Sequence, residues 1–241
     1  MFIRKNKKMK TAKNKIYKVI TIGLLFLGVT SCSKSDEYLN FTEGGEISYT
    51  GRVANLNIYP GRNRVKVEGI ILADPKVTEV RVYWNSLRDS VSIPVVRTGD
   101  MDTISYYINN MEENIYNFTV NTLDALGNKS IPTQKTQTVY GNRYQSSISN
   151  RPFKSNTIVG DSIHITFSKV DKSSGVVGSY IEYTNTLEEL KTAFITVDTT
   201  SIGINNYKAN SPYRYRTIFI PISQDLKSID TFFTDYKQIT P

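Results

Sequence analysis

The sequence predicts an all-β protein, with two tandem antiparallel β-sandwiches placed after an N-terminal export segment. Three observations carry this expectation. From Glu46 onward the hydrophobic period is two, and no stretch of ten or more residues holds a convincing helical repeat. Turn signals interrupt the alternation at short intervals, so the strands are short and no helix is available for a parallel crossover. The pattern then occurs twice, because Tyr116 follows Trp84 by 32 residues and Tyr213 follows Tyr183 by 30. These readings divide the chain into an export segment at 1–31, a polar tether at 32–45, a first sandwich at 46–141, a linker at 142–152 and a second sandwich at 153–241.

The export segment is marked by charge. Of 30 Lys and Arg, eight (Arg4, Lys5, Lys7, Lys8, Lys10, Lys13, Lys15 and Lys18) precede Cys32, and no acidic residue does. The remaining 22 basic residues balance the 22 acidic ones, so the formal charge of +8 belongs to the leader. A neutral mature chain lacks the surplus of Lys and Arg that phosphate neutralisation needs, so nucleic acid is not an expected partner. Val19 to Val29 is an uncharged apolar run of 11 residues. About 20 are needed to span a bilayer, so the run fits the apolar region of a signal peptide, with Met9 an alternative start to Met1. One Cys excludes an intrachain disulfide, and with a single His it leaves no zinc set; no cofactor is expected.

Val29-Thr30-Ser31-Cys32 resembles the lipobox of bacterial lipoproteins. The resemblance implies diacylglycerol on the Cys32 thiol, cleavage after Ser31 and acylation of the new amino group. A thiolate is the natural nucleophile for the thioether, and several acyl chains at about 0.8 kcal/mol per buried CH₂ would hold the protein on a membrane. An ordinary signal peptide with a Cys beside its cleavage site is the alternative. Ser33-Lys34-Ser35-Asp36-Glu37 resembles the export signals that carry lipoproteins of some anaerobic diderm bacteria to the outer face of the outer membrane, although a plain solvated tether would be polar too.

In the first sandwich, strands are expected at Arg64 to Ile70, Glu79 to Trp84, Ser90 to Val96, Thr103 to Ile108, Ile115 to Thr122 and Thr136 to Tyr140, separated by turn signals at Pro60-Gly61, Ala73-Asp74-Pro75, Asn109-Asn110 and Gly127-Asn128. In the second, Asp161 to Val170, Ser179 to Tyr183, Ala193 to Val197 and Tyr213 to Phe219 read as strands, and Leu187 and Leu190, three apart, suggest a helical turn within Thr186 to Lys191.

Tyr116-Asn117-Phe118-Thr119-Val120, with Asp124 and Gly127-Asn128 beyond, resembles the F strand and F–G turn of fibronectin type III domains. The resemblance implies that the Tyr116 hydroxyl returns to the backbone of the preceding corner. Tyr213 takes the corresponding place in the second cycle. Phe41 to Tyr49, Tyr59 to Lys66, Val82 to Asn85 with Asp89-Ser90-Val91, Val139 to Tyr144 and Ile229 to Asp235 together resemble the lipoprotein family known as domain of unknown function 4998. That resemblance covers nearly the whole mature chain and implies surface lipoproteins, often associated with glycan uptake, with glycan or envelope-protein partners. No catalytic residue comes with it. Related chains often continue into a carbohydrate-binding-like module, so glycan recognition here is expected from the sandwiches themselves.

Candidate residues follow from alternation. Trp84 shares a face with Val80 and Val82, which favours the core over ligand stacking. Tyr83, on the opposite face, is the expected ligand platform, joined by Tyr106 or Tyr107. His164, between Ile163 and Ile165, is expected to face solvent. Neither Glu112-Glu113 nor Glu188-Glu189 offers two carboxylates facing each other across a cleft, as glycoside hydrolysis requires, so a non-catalytic protein is expected. Ser90, Thr103, Ser162 and Thr199 each follow Asp and precede an apolar residue or a second Thr. The tripeptide resembles the O-glycosylation acceptor of such anaerobes, and is equally how a turn enters a strand.

Overall fold

The computed structural model of the chain describes residues 49–72 and 74–241. The expected signal peptide and tether, with Cys32 between them, lie outside the described residues. Seven strands form the first module: β1 (Ala54–Pro60), β2 (Arg64–Ile71), β3 (Val77–Trp84), β4 (Asp89–Pro94), β5 (Asp102–Asn109), β6 (Asn114–Asp124) and β7 (Thr133–Val139). One sheet has the order β1-β2-β5 and the other β4-β3-β6-β7, all antiparallel. The alternating Val65, Val67, Val80, Val82, Phe118 and Val120 are all fully buried between the two sheets. Burial of each such side chain contributes about 1.5–3 kcal/mol, and a one-residue slip would turn every one of them to water.

Local chemistry sets the corners. Between β6 and β7, Asp124 Oδ1 accepts from the backbone N–H groups of Leu126 and Asn128, both at 2.9 Å, and Gly127 takes φ +86° between them. Asn110 closes the β5–β6 connection at φ +58°, and the Tyr116 hydroxyl donates to the Glu112 carbonyl at 3.0 Å, the expected tyrosine corner.

The second module repeats the plan with β8 (Phe153–Val159), β9 (Ser162–Phe167), β10 (Val176–Thr184), β11 (Leu190–Thr196), β12 (Ser201–Ile204) and β13 (Tyr213–Phe219). β14 (Ile222–Ser223) and β15 (Leu226–Lys227) form a small hairpin, and β16 (Phe232–Phe233) and β17 (Lys237–Ile239) both pair with β13, so the last strand is split in two. One sheet is β12-β9-β8 and the other β11-β10-β13-β16, with Ile163, Ile165, Ile181 and Tyr215 fully buried between them.

Two expectations are corrected here. Thr186 to Glu189 is the turn of the β10–β11 hairpin, where Asn185 Oδ1 accepts from the N–H groups of Leu187 and Glu189, and Leu190 and Lys191 already belong to β11; the three-residue spacing of Leu187 and Leu190 marks no helix, and both side chains are exposed. Tyr213 does not form a corner. Continuing the pairing registers sets Trp84 opposite Phe118 and Tyr183 opposite Tyr213, so Tyr213 is the counterpart of Phe118. The residue matching Tyr116 is Ser211, whose carbonyl accepts instead from the Tyr207 hydroxyl.

The stretch between the modules is structured. A short helix, α1 (Asn142–Ser147), receives Glu113 at its start, where the carboxylate accepts from the N–H groups of Arg143 and Tyr144. Tyr144 then packs with Tyr140 and Phe232, at ring-centroid separations of 4.7 and 5.0 Å. Asp230, beyond the β14–β15 hairpin, accepts from Arg64 Nε and Nη2 at 2.9 and 2.6 Å and from the Arg62 N–H at 2.8 Å. The connection from β13 to β16 therefore reaches back onto the first module.

Candidate functional site

Tyr83 stands on the outer face of the β4-β3-β6-β7 sheet because Val80 and Val82 take the inner one. Ser90 on β4 and Thr119 on β6 lie directly opposite it, and Thr119 in turn faces Gln134 on β7. Tyr83, Thr119 and Gln134 of this row line a groove of about 750 Å³. Ile115, Asn117 and Asn121 extend the lining along β6, the β3–β4 turn Asn85 to Arg88 borders it near Ile115, and Lys129 and Pro132 line it toward the other end of β6. The volume lies within the range of small-molecule and oligomer sites.

The bordering turn carries backbone strain. Asn85, Ser86 and Leu87 have φ of +50°, +57° and +66°, and a leucine in the left-handed region costs on the order of 1 kcal/mol. The result is a raised edge, with Leu87 61% exposed. Ile115, 66% exposed, adds a second apolar surface near the same end. Hydrogen-bonding capacity runs along β6 from that end: Asn117 Oδ1 accepts from Thr136 at 2.6 Å, which leaves its amide hydrogens to the groove. Asn121 donates to the Ser130 carbonyl at 2.8 Å, which leaves its side-chain oxygen as an acceptor. Burial, followed by the charges of Glu112 and Asp89, raises the pKa of Tyr116, so its hydroxyl stays protonated and fixed in the corner.

The other aromatic candidates are not brought to this groove. Tyr106 turns inward with Ile104 and Ile108 and packs against the core. Tyr107 faces outward on the opposite sheet, where Arg64 and Lys66 sit 5.3 and 5.7 Å from its ring. Trp84 packs against the core, 6.5 Å from Phe118, and His164 is exposed, both as alternation implies. Ser90, Thr103 and Thr199 are exposed, whereas Ser162 is half-buried, with Asn205 accepting from its hydroxyl. Because Ser90 opposes Tyr83, a glycan attached there would cover the platform; the two expectations exclude each other at this position. Glu188 and Glu189 pair with Lys208 and Lys191, and Glu113 caps α1.

Alternation in Tyr213-Arg214-Tyr215-Arg216 also signalled a second outer face that the sequence reading left unused. Arg216 lies 4.3 Å from the Phe233 ring and 4.8 Å from that of Tyr236, and Arg214 lies 4.2 Å from Tyr236. Glu182 is held below the usual carboxylate range by the Tyr236 hydroxyl and then by Arg214, which it meets at 2.6 Å. Arg214, Glu182 and Tyr236 satisfy one another, while Arg216 is held between the Phe233 and Tyr236 rings with its Nε lacking a hydrogen-bond partner, so the face is a packed ladder rather than an open site.

The order β1-β2-β5 against β4-β3-β6-β7, repeated in the second half, makes each module fibronectin type III-like. Residues 32–232 match the model of the family described as domain of unknown function 4998, and the chain belongs to that family. Two solved structures are similar. The two-domain fibronectin type III segment of chicken tenascin is 12% identical, with a TM-score of 0.34 over 79% of this chain and all of that one. The FN1–FN3 domains of chicken CNTN1 are 11% identical, with a TM-score of 0.37 over 81% of this chain and 69% of that one. No curated protein matches.

Proposed function

We propose that this is a non-catalytic, lipid-anchored protein of the outer-membrane surface, whose first module presents its groove to a glycan as an accessory to polysaccharide uptake. The observation that carries the ligand reading is the groove itself, in which an outward Tyr83 lies among unspent amide and hydroxyl groups. Sugars are recognised by that combination, with a ring face for their C–H surface and paired donors and acceptors for their hydroxyls. The anchor rests on the basic leader, the short apolar run and Val29-Thr30-Ser31-Cys32. In affinity electrophoresis against a panel of polysaccharides, the protein is expected to be retarded, and Tyr83→Ala to lose most of that retardation. Unchanged migration of both proteins in every gel would defeat the reading. Membrane attachment is checked separately: Cys32→Ala should abolish palmitate labelling and release the protein from envelopes.

A second reading, a structural spacer of the envelope, is favoured by the Asp230 contacts that tie the modules together. It predicts no polysaccharide binding and in-cell crosslinking to one protein partner.

A further inference from the structure

We infer that the groove takes an acidic glycan, a chain carrying carboxylate or sulfate groups, rather than a neutral one. The inference rests on the reading of the groove as a glycan site and adds the ligand's charge. Among the residues lining it are two cations, Arg88 and Lys129, and no carboxylate. Neither cation is in an ion pair among the described residues; Arg88 Nε donates only to the Asn85 carbonyl, at 3.0 Å. Of the neighbouring acids, Glu79 is bound to Arg81 at 2.5 Å, Asp89 accepts from the Asn85 side chain, and Asp124 is held below its usual range by Asn128 and by backbone N–H groups of its own turn. Glu112, exposed at the corner before Tyr116, lies outside the lining. The lining itself therefore carries two cations and no carboxylate, with Asp89, Glu112 and Asp124 outside it.

The placement of the two cations says more. The β3–β4 turn lies beside the start of β6, whereas Lys129 bridges to Leu123 near the end of that strand. Continuing the register sets Asn85 opposite Asn117, and six residues of extended chain separate Asn117 from Leu123, about 20 Å of backbone along the strand direction. The two cations stand toward opposite ends of the groove, and a chain of several sugars with repeated acidic groups meets both when laid along β6 with Asn117, Thr119 and Gln134 at its hydroxyls and Tyr83 beneath one ring.

The test titrates the full-length protein by calorimetry with an oligogalacturonate, with the methyl ester of the same oligomer, and with dextran sulfate against dextran. At least one acidic probe should bind about tenfold or more tightly than its neutral counterpart, with affinity falling as salt rises. Arg88→Glu and Lys129→Glu should each remove most of that preference. Lys135→Glu, which makes the same change of charge on β7 outside the groove, should leave it intact. Equal binding of acidic and neutral partners would overturn the inference while leaving the glycan reading in place. Equally tight binding of poly-glutamate would also overturn it, since charge without sugar would then suffice. Binding of none of the probes would remove both.

Discussion

Arg151 takes a cation into the interior with no carboxylate to meet it. Its side chain is almost fully buried, and its guanidinium donates to the carbonyls of Ser168, Thr196 and Thr199 at 2.9, 3.1 and 2.7 Å while lying 5.5 Å from the Phe167 ring. Burial lowers its pKa, yet an arginine stays charged, and its fork spans three acceptors that a lysine point charge cannot reach together. Arg151→Met should leave those carbonyls unpaired and lower stability by about 2–4 kcal/mol, with Arg151→Lys recovering part of the loss; urea unfolding measures both. Nothing in Asn150-Arg151-Pro152 signals this role, because the partners lie up to 48 residues away. Other residues were legible. Val80 and Val82 turn Tyr83 outward as expected, whereas Tyr106, expected as a platform, shares the parity of Ile104 and Ile108 and turns inward, leaving Tyr107 outward. Alternation assigns a face, however, and not what else occupies it: that Tyr83 meets Ser90 while Tyr107 meets two cations depends on strand neighbours set by the fold.

At the level of elements, two of the strands that escaped the sequence reading have little to bury. β8 has no fully buried side chain and pairs only with β9, and β12 is four residues long with one buried side chain, so neither shows a sustained apolar alternation. β1 was hidden by Asn55, at φ +48° within a break in the register, and by the low strand propensity of asparagine. The Leu187–Leu190 spacing misled because a period read over two residues cannot separate a helical turn from a hairpin loop. A sharper element-level constraint sits at Gly178 on β10. A Cβ there would stand 2.4 Å from the Ile195 carbonyl oxygen and 2.6 Å from the Phe194 ring, which folds over the glycine while pairing with Tyr180 at 5.3 Å. Gly178→Ala should therefore push β11 away from β10 and cost about 1–3 kcal/mol in thermal unfolding, despite the higher strand propensity of alanine. At Gly127, where no atom lies within 4 Å of an added Cβ, the same substitution strains only the φ of +86° and should cost less.

At the scale of the whole molecule, the two modules behave as a tandem unit because the second one grips the first. Asp230 is the centre of that grip: Arg64 and the Arg62 N–H hold its carboxylate, Ile229 N–H donates to the Pro60 carbonyl at 2.8 Å, and Arg62 lies 4.4 Å from the Phe232 ring. A repeat count can reveal two modules, but not that a loop between the last strands of one will dock on the other. Burial alone would raise the Asp230 pKa, but the hydrogen bonds from Arg64 and Arg62 outweigh it and hold the carboxyl below the usual aspartate value of 3.8. A depressed carboxylate contributes stability that is present above its unfolded pKa and lost as pH falls through the folded one. Inter-module coupling should thus be intact at neutral pH and weaken on acidification below about pH 4. Asp230→Asn should weaken it at pH 7 by about 1–2 kcal/mol, an amount limited by the partial exposure of Arg64. Calorimetry can read this directly: one cooperative transition at pH 7 should broaden or split into two in the variant. The difference between wild type and variant should shrink as the wild type is acidified, because protonation removes the same charge that the substitution removes. A variant that unfolds with the wild-type profile at every pH would show that the Tyr140, Tyr144 and Phe232 cluster joins the modules without help from Asp230.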